Sequence, residues 1–290
     1  MMKGNRIAVI VGVIIVVAVV GFLALRGHYP PKSGTEGTIG AAQRYTAQQI
    51  SGQDVTLESP EVQAFLQSDT FHKLATNAEF RQCVTDQAFG KALENKTFVA
   101  MLRNADAAAV VKAEAIRSAI SDGAFAGKTP DQLAVIFGAD MVRMLDNKSF
   151  VDALKTEALK TEALKTPDAL KIEALVTKNP EWVKFANTDA FKRLERSRVF
   201  VDLLKTGDLQ KIADNAKLVD YLKTAAFSKV TTGDFANALA DQAVQKVLLN
   251  DSFRTLSDKK VFLDAFGVKG FDQFVKTDMM KALDQLKTSE

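Results

Sequence analysis

Phe71, Phe80, Phe89 and Phe98 stand nine residues apart. That interval, more than any other feature, limits what the chain can become. Three residues before each ring comes Ser68, Asn77, Asp86 or Asn95, and three and four after it come Leu74/Ala75, Cys83/Val84, Ala92/Leu93 and Met101/Leu102. Val62 extends the series backwards, with Ser59 before it and Phe65/Leu66 after. The unit returns at Trp182, Phe191, Phe200, Leu209, Leu218 and Phe227, preceded by Asn179, Thr188, Ser197, Thr206, Asn215 and Thr224. After a one-residue deletion it resumes at Phe235, Val244, Phe253, Phe262, Phe271 and Met280, where Lys259 and Val268 occupy two of the leading positions.

Nine residues are two and a half helical turns, so on one straight helix successive rings would point to opposite sides. The leading residues resolve this. Asn, Asp, Ser and Thr side chains accept hydrogen bonds from the free N–H groups of a helix's first turn. A cap every nine residues predicts helices of five to seven residues, each bent relative to the last. No such helix is stable alone, so neighbours must bury one another's apolar side chains. The prolines agree: Pro60, Pro130, Pro167 and Pro180 each follow a capping type, Ser59, Thr129, Thr166 or Asn179. Proline is tolerated at the first helical position, where no N–H bond is lost.

Residues 121–130, SDGAFAGKTP, hold a Gly-Lys-Thr that resembles the tail of a phosphate-binding loop. Such a loop needs four residues between its first glycine and Gly-Lys. Gly123 leaves three, Asp122 stands where that glycine belongs, and the preceding AEAIRSAI reads as helix. Thr129-Pro130-Asp131-Gln132 is instead a cap, a first-turn proline and a capping-box glutamine.

Residues 7–25, IAVIVGVIIVVAVVGFLAL, are 19 consecutive apolar or Gly residues. As a helix they match a hydrocarbon core of about 30 Å. The run is longer than a signal-peptide core and ends without a small-x-small cleavage site, so it reads as an uncleaved anchor. Lys3, Arg6 and the terminal amine favour a cytoplasmic N-terminus, which puts the bulk in the periplasm, anchored to a bacterial inner membrane as a single-pass protein. The expected organisation is an anchor (1–26), a Pro/Gly/Ser spacer (27–40), an N-terminal helical repeat region (41–153), a low-complexity helical bridge (154–178) and a C-terminal repeat region (179–290). The fold class is all-α: a transmembrane helix, then an array of short helices with a nine-residue repeat. Lys3, Arg6 and Arg26 are the only charges before residue 27, so beyond it 35 basic residues balance 35 acidic ones. A neutral body without a basic block offers no footprint for nucleic acid.

Catalytic and cofactor signatures are missing from the sequence. Cys83 is the only cysteine and sits in an apolar slot of the repeat, as a small hydrophobe. His28 lies in the spacer and His72 at a variable repeat position. Many carboxylates, including Asp69, Asp86, Asp189, Asp241 and Asp251, sit near caps, where a role at a helix start suffices. No catalytic, cofactor-binding or metal residue is assigned, and no cofactor. GTIGAAQRY (37–45) reads as a docking element or as a Gly-bounded helix start. The residues singled out are the core rings of the repeats: Phe71, Phe80, Phe89, Phe98, Phe191, Phe200, Phe227, Phe253, Phe262 and Phe271.

SPEVQAFLQSDTFHKLATNAEF (59–80) and NPEWVKFANTDAFKRL (179–194) resemble the Asn/Asp-Pro helix repeats of STI1-type domains, found in co-chaperones and ubiquitin-binding adaptors. The resemblance lies in the cap, the proline of a few units and the apolar pair. It implies clustered short helices with a hydrophobic groove for client segments. Most units here lack the proline and carry Phe. Together these features lead to the expectation of a non-enzymatic scaffold or protein-interaction protein of the cell envelope. Its partners would be the bilayer, through residues 7–25, other envelope proteins and a second copy of itself. The alternative is a chaperone-like module binding apolar segments of exported proteins, and a third reading is an envelope enzyme.

Overall fold

The computed structural model describes residues 60–165 and 180–277. These form 22 helices of four to nine residues, and no strand occurs among the described residues. The anchor at 7–25, the spacer 27–40, the 37–45 stretch, the later part of the bridge with Pro167, and Met280 lie outside them. Among the described residues no helix is long and apolar enough to cross a membrane.

Nine of the described helices start the same way. Ser68, Asn77, Asn95, Asn147, Thr188, Ser197, Asn215, Thr224 and Asn250 accept a hydrogen bond from the backbone N–H three residues on. That N–H belongs to the large apolar residue of the unit: Phe80 donates to Asn77 at 2.9 Å and Phe253 to Asn250 at 2.9 Å. One side chain therefore fixes both where the helix begins and where its ring points. Pro60, Pro130 and Pro180 are each the first residue of a helix. Thr129 and Gln132 make the reciprocal capping box.

Some expected caps do not cap. Thr206 yields to Gly207, whose left-handed backbone (φ 74°) opens the helix Asp208–Asp214. The Thr206 hydroxyl instead meets an Asp208 carboxylate oxygen at 2.6 Å. Lys259 precedes its helix without a side-chain bond, and in place of Val268 the last described helix starts from Gly270 (φ 83°).

Hydroxyl and amide caps behave differently, for a chemical reason. A hydroxyl has one proton, and Ser68, Thr188 and Thr224 donate it backwards to the carbonyls of Phe65, Phe185 and Tyr221 at 2.6, 2.7 and 2.7 Å, tying successive helices of one array. An Asn cap keeps a free NH2 after its oxygen is used. Asn95, Asn215 and Asn250 direct it across the molecule, to Asp241, Asp122 and Asp86.

The chain folds back on itself. Helix Asp69–Ala75 packs on Lys260–Ala265, Ala78–Thr85 on Asp251–Ser257, Gln87–Ala92 on Gln242–Leu249, Lys96–Arg103 on Thr232–Leu239, and Glu114–Ser121 on Ala216–Leu222. The two arrays are antiparallel layers over one core that runs from Val62 to Val275. Ring pairs cross it: Phe65–Phe271 at 5.5 Å, Phe80–Phe262 at 6.3 Å, Phe98–Phe253 at 6.1 Å and Phe137–Phe235 at 4.9 Å. Each buried ring contributes roughly 1.5–3 kcal/mol. The first part of the low-complexity segment is built into this core, as helix Ala158–Lys165 packed on Arg198–Thr206. Its leucines recur every five residues and so drift around the axis: Leu154 and Leu159 are buried, while Leu164 is 63% exposed.

Candidate functional site: the seam between the two arrays

Phe80, Phe89, Phe98, Phe191, Phe200, Phe227, Phe253, Phe262 and Phe271 are all buried. Phe71, near the open end of the hairpin, is half-buried against Phe65 and Phe274. These rings form structure and are not gathered around a pocket. Among the described residues the exposed large hydrophobics are Leu164 and Val183.

The Gly-Lys-Thr loop is fully committed to structure. Gly123 (φ 72°) and Gly127 (φ 68°) turn the chain, and Ala124 and Phe125 between them are buried. Lys128 Nζ lies 2.8 Å from Asp208 of the opposite array, with both side chains mostly covered. Burial opposes the charge on Asp208, but hydrogen bonds from Lys128 and Thr206, with the charges of Lys128 and Lys211, outweigh it and hold the carboxyl below its usual range. The lysine that a phosphate loop would aim at a nucleotide is an internal tie.

Cys83 is buried, and its thiol is pushed far up, first by burial and then by the Asp86 charge, so it stays protonated and inert. His72 is exposed on its helix. Among the described residues no group of three or more His, Cys, Asp or Glu is placed to hold a metal ion.

What the fold does bring together is the seam. Basic residues of the N-terminal array close the carboxyl ends of helices in the other. Arg117 donates to the carbonyls of Leu248 and Leu249 at 3.2 and 2.7 Å and pairs with Asp251 at 2.6 Å. Lys112 reaches the carbonyl of Ser257 at 3.0 Å, and Arg103 that of Phe266. At the centre of the seam lies an open cleft of about 540 Å³ between Gln87, Lys91 and Asn95 on one side and Asp241, Gln242 and Lys246 on the other. Asn95 and Asp241 are engaged with each other across the cleft, and Glu94 is the other carboxylate of the lining.

The two faces of the cleft are built from two similar segments. Residues 86–98 read DQAFGKALENKTF and residues 241–253 read DQAVQKVLLNDSF, identical at seven of thirteen positions. This duplication is finer than the nine-residue spacing and emerges when the arrays are laid against each other 155 residues apart. Phe98 and Phe253, equivalent members of the two copies, meet across the core. No protein-family model, curated protein or solved structure matches this chain.

Proposed function

We propose that the protein is a non-enzymatic scaffold of the bacterial cell envelope, held by residues 1–26 in the inner membrane with its helical arrays in the periplasm. The observation that carries this reading is how the apolar surface is used. The rings of both arrays are spent on one internal core, while the outer faces carry interspersed charges. A charged outer surface over one internal core, following a 19-residue apolar run, suits presentation of a fixed surface to other envelope proteins.

The test is in-cell cross-linking followed by mild detergent extraction of the full-length protein from native membranes. A stoichiometric envelope protein recovered with it supports the scaffold. Recovery from the aqueous fraction without detergent, or a broad mixture of exported polypeptides, overturns it, the second outcome in favour of client binding.

A further inference from the structure

The seam between the arrays has the contact logic of a two-fold dimer interface. In such an interface residue i meets j and j meets i, using one patch twice. Here Asn250 donates to Asp86 at 3.2 Å, and Asn95, the equivalent of Asn250, donates to Asp241, the equivalent of Asp86, at 3.5 Å. Each Asp uses its other oxygen to accept from its own helix, Ala88 N–H at 2.6 Å and Ala243 N–H at 2.7 Å. Each Asn uses its oxygen for Phe98 or Phe253. The central helices of the two copies, Gln87–Ala92 and Gln242–Leu249, pack directly on each other, and equivalent rings Phe98 and Phe253 approach to 6.1 Å. Within one chain, the contact is between two versions of a single self-complementary surface.

We propose that this surface takes a second copy of the same chain: two molecules exchange their C-terminal arrays and close two identical seams with four Asp–Asn cap pairs. The exchanged and single-chain forms contain the same contacts. The balance between them is therefore set by the effective concentration of one array for the other within a chain. This inference goes beyond the scaffold reading and does not depend on where the protein resides.

The caps supply the test. In one full-length variant Asp86→Asn and Asp241→Asn make all four seam caps amides. In the other, Asn95→Asp and Asn250→Asp make all four carboxylates. Asp remains a good helix cap, so local helix starts are kept. The all-carboxylate chain sets like charges against each other in its own seam, with no donor between them. Paired with the all-amide chain, it regains an Asp opposite an Asn at every position.

The two variants carry different affinity tags and are refolded together in detergent. Capture by either tag is expected to bring down a one-to-one complex of twice the chain mass. That complex should form several-fold more abundantly than mixed-tag complexes of two identically capped chains, and melt above the all-carboxylate chain alone. If the all-carboxylate chain does not fold unaided, its recovery only in the presence of the other is the same positive result. Capture of each chain by its own tag alone overturns the proposal. So does mixed capture no greater than that of identically capped chains, which reports association through the anchors.

Discussion

Asn250 and Asp86, 164 positions apart in the chain, are joined side chain to side chain at 3.2 Å while each caps the helix that follows it. One contact thus couples two helix starts in opposite arrays and fixes how the arrays slide along each other. Replacing Asn250 by Ser keeps the cap and removes the cross-seam donor. It should lower stability by about 1.5 kcal/mol, the scale of a hydrogen bond to a charged group. Asn250→Ala also removes the cap and should cost about 1 kcal/mol more. Urea titrations of the three proteins check the order; equal stability of the Ser and Ala variants would show that the cross-seam bond dominates and the cap contributes nothing.

Asp208 gives the fold an acid-sensitive tie. Its carboxyl is held below the usual range in the folded protein, so the tie contributes fully above the unfolded-state value, about 3.9, and is lost as pH falls through the lower folded value. Asp208→Asn should therefore melt lower than the wild type at pH 7, with the gap narrowing towards pH 3. Lys128→Met, which leaves Asp208 largely covered without its nearest cation, should cost about 3 kcal/mol at pH 7. A gap that widens on acidification would contradict this assignment.

Phe89 and Phe200 are 0% exposed and should each cost about 3–5 kcal/mol on replacement by Ala. Phe71, half-buried at the open end, should cost less than half as much. Thermal melts of the three variants establish the ranking.

Cys83 should ignore thiol reagents at pH 8 in the native protein and react once per chain in urea, because burial and the Asp86 charge keep the thiolate unpopulated. Its labelling rate then measures opening of the Ala78–Thr85 layer, and rapid labelling without denaturant would place that layer outside the stable core.

The short helices and their starts were legible because their cause is local. Ser68 and Phe71, or Asn77 and Phe80, lie three residues apart, and the hydrogen bond between them needs nothing from the rest of the chain. Thr206 failed as a cap because Gly207 next to it adopts a backbone that most residues avoid. The partner of each array was not legible. Any Phe can meet any Phe, and periodicity carries no information about which. That information sits in the difference between amide and hydroxyl caps: Asn95 and Asn250 have a proton left to give, and Asp86 and Asp241 an oxygen left to receive it. The duplicated DQA…K.L.N..F segment was the available signal, hidden under the stronger nine-residue rhythm.

The fold-back also sets how the molecule bears load. Glu61 pairs with Lys269 at 3.5 Å and Phe65 meets Phe271, so the two ends of the described chain emerge side by side. Tension between residues 60 and 277 pulls the layers apart from that end. It meets Phe65–Phe271 first, then Phe80–Phe262, then Phe89–Phe253, each pair resisting in turn. The arrays therefore unzip in small steps at low force, where the same contacts pulled from opposite ends in shear would break together.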